Sequence, residues 1–211
     1  MTRAIVYGAA YSTYTRSVLL ALEEKGVAYK LQEVDVFSGG GTAPAHLARQ
    51  PFGKIPAFEH DGFRLYETAA ILRYVDEAFD GPPLQPADPR GRARMMQVIG
   101  VLDSYAYRTL VWDIYVARRE SETPDEAKIA AALPKAERCL RALAEPMGQE
   151  PYLADADVTL ADLHAVPIVA YFRLTPEGQR LIAGEPAIGR WWEAMAARPS
   201  VAATRFEREQ A

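Results

Sequence analysis

The chain has 211 residues, 49% hydrophobic and 25% charged, the balance of an ordinary globular protein with room for a sizeable core. Twenty-four basic against 28 acidic residues leave a net charge of −4, which argues against nucleic acid or an anionic membrane surface as the main partner. The single cysteine, Cys139, excludes an internal disulfide and suits a reducing compartment. No run approaches the roughly 18 apolar residues of a membrane span. Met1–Gly8 enters a strand-like run without the apolar stretch and cleavage site of a signal peptide, so a cytoplasmic location is expected.

Ala4–Tyr7 reads as a short apolar strand ending at Gly8. Ser17–Gly26 has helical spacing at Val18, Leu19 and Leu22 and stops at Gly26. Tyr29–Val36, rich in β-branched and aromatic residues, reads as a second strand. Ile55–Phe58 and Phe63–Tyr66 flank His60-Asp61-Gly62, and Asp-Gly between apolar runs signals a hairpin. Thr68–Phe79 returns to helical spacing at Ile71, Leu72, Val75 and Phe79. A helical crossover implies parallel pairing of the first two strands and the hairpin implies antiparallel pairing, so a mixed four-stranded sheet is expected.

Residues 80–90 carry Pro82, Pro83, Pro86 and Pro89 and read as a linker between a domain over 1–79 and a second over 91–211. The second part has no convincing strands and is expected to be all-helical. Arg92–Arg119 is a long helical pattern through Met95, Val98, Ile99, Leu102, Tyr105, Ala106 and Leu110. Glu126–Ala144 gives another helix, which Pro134 is expected to kink or interrupt. Leu160–Tyr171 and Ile188–Ala197 follow. Thr159-Leu160-Ala161-Asp162 fits a capping box with Asp in place of Glu and reads as a folding element. Cys139, among Leu133, Ala136, Leu140 and Leu143, reads as a small packed residue. His46, His60 and His164 are scattered without ligand spacing, so no metal is expected.

Three stretches carry a family resemblance: Tyr7-Gly8-Ala9-Ala10-Tyr11-Ser12 running into Thr15-Arg16-Ser17-Val18, Pro51-Phe52-Gly53-Lys54-Ile55-Pro56-Ala57-Phe58, and Leu65-Tyr66-Glu67-Thr68-Ala69-Ala70-Ile71. Trp191-Trp192 and Arg198-Pro199-Ser200-Val201 add to it near the end. On these residues the chain resembles the cytosolic glutathione transferases over essentially its whole length. It looks closest to the serine-type, phi-like members, which include bacterial relatives of the plant class. The resemblance implies a thioredoxin-like α/β domain that binds glutathione and an all-α domain that contributes a pocket for a small hydrophobic electrophile. It also implies a detoxifying transferase activity and a homodimer.

Ser12 lies between the first strand and the first helix, where a thioredoxin-like protein would carry a redox cysteine pair; Ser12-Thr13-Tyr14-Thr15 has no thiol. The protein would therefore use the thiol of bound glutathione. A thiol with a pKa of about 8.5 is only a few per cent ionised at pH 7, and lowering that pKa by two units takes about 2.7 kcal/mol. A hydroxyl hydrogen bond and the positive end of a helix together supply about that much. Ser12 suits both roles, and simple helix capping is the alternative. Tyr11 and Tyr14 are the other hydroxyl candidates, and Tyr11 also suits the electrophile pocket.

The resemblance implies a cis bond at Pro56, after which Ile55 would present its N–H and C=O to glutathione as an added strand does. A proline opening a strand is the ordinary alternative. Lys54 would reach a glutathione carboxylate, or else is a solvated loop residue. Thr68, at a helix N-terminus, would hold the γ-glutamyl carboxylate, with Glu67 pairing the γ-glutamyl amine; a plain capping pair is the alternative. Asp103 is a candidate partner-subunit contact or a salt-bridged helix position. Tyr105, Tyr107, Trp112 and Tyr115 sit at helical spacing, divided between core and pocket; Tyr107, Trp112 and Tyr115 are the pocket candidates.

One departure is visible. Where phi-like relatives carry basic residues that grip the glycyl carboxylate, this chain has Ser38-Gly39-Gly40-Gly41-Thr42. His46 and Arg49 lie nearby without an assigned ligand role. Two rival functions remain in the sequence: glutathione-dependent peroxide or disulfide reduction, and a non-catalytic binding module on a transferase fold.

Overall fold

β1 (Ala4–Gly8) alternates buried and half-buried residues, as a strand covered on one face does. It pairs in parallel with β2 (Tyr29–Glu33) and antiparallel with β3 (Ala57–His60), which pairs antiparallel with β4 (Phe63–Tyr66). The sheet order is β2-β1-β3-β4, the mixed four-stranded sheet expected. These strands belong to a computed structural model that describes residues 4–37 and 43–209. The glycine run Ser38–Thr42 lies outside the described residues.

The β3–β4 turn is the hairpin that Asp61-Gly62 announced. Both residues have positive φ, 53° and 79°, as a two-residue turn matched to the strand twist requires. β2 stops at Glu33, three residues short of the expected end, because its last partner is Gly8 of β1. Ile55 and Pro56 precede β3 rather than opening it.

Three helices accompany the sheet: α1 (Thr13–Glu24), the single turn α2 (Pro44–Leu47) and α3 (Thr68–Ala78). α1 starts four residues earlier than expected because Ser12 caps it, and the chain leaves it through Gly26 at φ 66°. Val18, Leu20 and Leu22 of α1 and Ile71, Leu72 and Val75 of α3 are fully buried, as are Val6 of β1 and, nearly so, Phe58 of β3. Each such side chain contributes roughly 1.5–3 kcal/mol of transfer free energy. Gly8 is where β1 meets α1, since a Cβ there would lie 2.3 Å from Thr15 Oγ1.

The contacts divide the chain into two compact units, residues 1–83 with 199–211 and residues 84–198. The first boundary falls inside the expected linker. The second corrects the expected 91–211 domain, because its last residues pack on α1. Buried Arg16 donates to Thr204 Oγ1 and Val201 O, both at 3.4 Å, and pairs with Glu209. Ser200 donates to Glu24 from the same closing segment, which includes the short helix of residues 199–203.

In the second unit, α4 (Pro89–Val101) is capped by Asp88, whose carboxylate accepts from the Arg90 and Gly91 N–H groups. The helix therefore begins within the segment expected as linker. It continues through Leu102–Val116, wound with π-helical spacing, into α5 (Ala117–Arg119). α6 (Glu126–Ala144) runs through Pro134 without the interruption that was one of the two expected effects of that proline. α7 (Leu160–Arg173) is buried at every position from Leu160 to Phe172 and forms the centre of this unit. α8 (Pro176–Ala183), which the sequence reading missed, and α9 (Pro186–Ala196) complete it. Among the described residues, no helix is long and apolar enough to cross a membrane.

Candidate functional site

The sheet register gathers the expected site residues of the first unit at one edge. Ala57 pairs with Tyr7 on one side and with Tyr66 on the other. The exit of β1 toward Ser12, the Ile55-Pro56 entry to β3 and the exit of β4 toward Glu67-Thr68 therefore lie side by side. Three adjacent strands span about 10 Å, and an extended tripeptide is about as long. The exit of β2 shares this edge, because Glu33 pairs with Gly8.

Ser12 is half-buried and caps α1, with its Oγ accepting from the Thr15 N–H at 3.3 Å. Capping occupies one lone pair and leaves the O–H free to donate, so capping and thiol contact are compatible in one hydroxyl. The first turn of α1 contains no acidic residue to offset the positive end of the helix dipole. Tyr11 is 37% exposed and its ring lies 5.9 Å from that of Phe37. Partial burial raises the Tyr11 hydroxyl above the usual tyrosine range, and the charges of Asp35 and Glu33 add to this; a hydrogen bond from the Val36 backbone opposes it. A hydroxyl held protonated is a poor base for a thiol. Tyr14 is half-buried on α1.

The Ile55-Pro56 bond is cis. Among the described residues, neither the N–H nor the C=O of Ile55 has a hydrogen-bond partner, although Pro56 beside it is buried. Lys54 is exposed. Its backbone is tied at both ends. The Lys54 N–H donates to Gln50 Oε1 at 3.0 Å, which also accepts from Phe52 at 2.8 Å, and the Lys54 carbonyl lies 2.7 Å from His46 Nε2. Gln50 and His46 are 2% and 4% exposed. The sequence does not announce this pair of buried polar side chains.

Glu67 precedes α3 at φ 70° and ψ 115°, a region that costs a non-glycine residue about 1–3 kcal/mol. Its exposed side chain makes no capping bond to the first N–H groups of α3. Thr68, 7% exposed, opens the helix. Together these groups offer an acid for an amine and a helix N-terminus for a carboxylate.

The second-unit candidates separate. Tyr107 and Trp112 are half-buried. Tyr115 is 2% exposed, lies edge-on to Tyr171 at 4.6 Å and donates to Glu120, so it is core rather than pocket. Asp103 accepts from buried His164 at 2.8 Å, the paired helix position that was one of its two expected roles. Cys139 is buried, and burial raises its thiol. No group of three or more potential metal-ligating side chains gathers among the described residues.

Residues 6–83 match the family model of the glutathione S-transferase N-terminal domain, and residues 104–199 match that of the C-terminal domain. A probable glutathione S-transferase, GSTF1, of Oryza sativa subsp. japonica is 32% identical, over 95% of this chain and 94% of its own length. The crystal structure of glutathione transferase F7 from Populus trichocarpa superposes with a TM-score of 0.84 at 31% identity, covering 95% of this chain and 97% of its own. Glutathione S-transferase I from mais, in complex with an atrazine glutathione conjugate, gives 0.83 at 25% identity over 96% of both chains.

Proposed function

The chain belongs to the glutathione S-transferase family, and from that premise we propose that it is a serine-type, phi-like member in which Ser12 activates glutathione. The observation that carries this reading is the shared sheet edge, where Ser12, the backbone of Ile55, unpaired among the described residues, and the uncapped N-terminus of α3 lie on neighbouring strand ends. Glutathione lies across that edge. Its cysteinyl residue docks on Ile55 beside Pro56, and its γ-glutamyl end reaches Thr68 and Glu67. Lys54 serves a carboxylate. The Ser12 hydroxyl donates to the sulfur, and the α1 dipole favours the thiolate.

The thiolate then attacks an electrophilic carbon. A sulfur–carbon bond forms, the thiol proton goes to solvent, and in a substitution the leaving group departs with its bonding pair. Catalysis comes from thiolate stabilisation and positioning. The serine forms no covalent bond. A small apolar electrophile is the substrate class, and Tyr107 and Trp112, both half-buried, remain candidates for contacting such a ligand. Exposed apolar side chains on each unit, Phe52 at 69% and Tyr105 at 64%, support a homodimer, with Asp103 as a candidate contact to the partner. A cytoplasmic location belongs to the same reading.

Replacing Ser12 with Ala tests it. A hydrogen bond to a charged group contributes about 1.5–3 kcal/mol, so kcat should fall roughly 10- to 150-fold. The KM for glutathione should stay within about threefold, because the binding contacts remain. An unchanged kcat would remove Ser12 from the mechanism.

A further inference from the structure

Buried His46 is an odd core residue. Its Nε2 meets the Lys54 carbonyl at 2.7 Å, while its Nδ1 is buried with no hydrogen-bond partner among the described residues. A carbonyl only accepts, so Nε2 carries the proton and donates; in the neutral ring Nδ1 is then a bare acceptor. A phenylalanine would fill the same space without an orphaned nitrogen. The reason for an imidazole at this place must therefore lie in the Nε2–H and in what it holds.

What it holds is the backbone next to Ile55. Gln50 holds the N–H of the Gly53–Lys54 peptide and His46 holds the carbonyl of the Lys54–Ile55 peptide, the same plane that carries the Ile55 N–H. Ile55 follows directly, with both backbone groups unpaired among the described residues. We propose that His46 is a positioning residue for glutathione. Through the Lys54 carbonyl it orients the Ile55 strip on which the tripeptide docks, and with it the exposed Lys54 side chain. This rests on the reading that glutathione lies along Ile55. His46 itself touches neither the sulfur nor the electrophile, so its effect falls on binding rather than on chemistry.

The test compares three variants of the full chain, His46→Phe, His46→Gln and His46→Asn, by calorimetric titration with glutathione, steady-state kinetics and thermal unfolding. In His46→Phe, loss of one positioning hydrogen bond should raise Kd and KM for glutathione about tenfold while kcat at saturation stays within about twofold. Its thermal midpoint should stay within a few degrees of the parent's, because loss of the bond to the Lys54 carbonyl and removal of the orphaned nitrogen act in opposite directions. The amide nitrogen of Gln reaches the place of Nε2, whereas that of Asn reaches only the place of Nδ1. His46→Gln should therefore recover most of the affinity and His46→Asn should not. If His46→Phe does not fold, the Gln–Asn pair decides alone. Equal affinity in those two, or a His46→Phe protein that binds as tightly as the parent, overturns the positioning role. A parent protein that fails to bind millimolar glutathione overturns the functional reading itself.

Discussion

Two helices of this chain begin with a threonine and an acid, and they begin in opposite ways. At α7 the acid is Asp162, fully buried, and its carboxylate accepts four hydrogen bonds: from the Leu153 N–H, the Thr159 N–H and hydroxyl, and the Trp191 indole, all at 2.8 Å. At α3 the acid is Glu67, exposed and held at φ 70°, followed by Thr68 with no side-chain cap. In the first, every polar group is satisfied, which is how buried polar groups repay their desolvation. In the second, the backbone is strained and the donors are left open, which a fold retains where something else is to bind. The sequence pairs look alike; the satisfaction of their hydrogen bonds separates a folding knot from a site.

The largest effect that would break this comparison is at Asp162. Its removal in Asp162→Ala leaves four buried donors without an acceptor, so unfolding free energy should drop by about 3–5 kcal/mol in denaturant titration. The part that still folds should keep its KM for glutathione. A loss below about 1 kcal/mol, or a change in KM alone, would place Asp162 with the site instead.

At Glu67 the two readouts should move apart. Glycine accepts positive φ freely, so Glu67→Gly should leave stability unchanged or raise it by up to about 1 kcal/mol. If glutathione docks as proposed, its γ-glutamyl amine loses the Glu67 counter-charge, so the KM for glutathione should rise about tenfold, the effect of one lost charged hydrogen bond. If stability and affinity fall together, the strain at Glu67 belongs to the fold and the contrast with α7 fails.

Local chemistry was legible wherever it is local in sequence. Asp61-Gly62 announced its hairpin and Gly26 its helix end through backbone preferences that need no distant partner. Thr175-Pro176 is an equally local start signal for α8, where the Thr175 hydroxyl accepts from the Gly178 N–H. Pro134 does not interrupt its helix because the local cost of about 3 kcal/mol is smaller than the burial of Ile129, Ala132, Ala136, Cys139, Leu140 and Leu143 along the same helix. The docking of the closing segment on α1 was out of reach, since Arg16 and Glu209 are 193 residues apart and their types suit any surface. At the site, Ser12, Ile55, Glu67 and Thr68 were nameable from motifs, but the register at Ala57 that brings them to one edge was not. The His46–Gln50 clamp was missed for the same reason, because nothing in a histidine two places after a proline says that its ring turns inward.

The smallest effect is expected at Tyr11, which sharpens the contrast from within the site edge. Its hydroxyl is raised above its ordinary range by burial and by Asp35 and Glu33, so it stays neutral and titrates outside the working range of the enzyme. The pH profile of kcat/KM should then show one ionisation, that of the bound thiol, rising to a plateau with an apparent pKa below the free value of about 8.5. Tyr11→Phe should leave that profile in place and change kcat by less than about threefold, as expected for an uncharged contact of about half a kcal/mol. Ser12→Ala should move the same limb upward in pH, because the thiolate loses its donor. If Tyr11→Phe moves the limb and Ser12→Ala does not, the hydroxyl that caps α1 is only a cap. Ser12 would then stand with Thr159 among the folding groups, and Tyr11 would take its place at the sulfur.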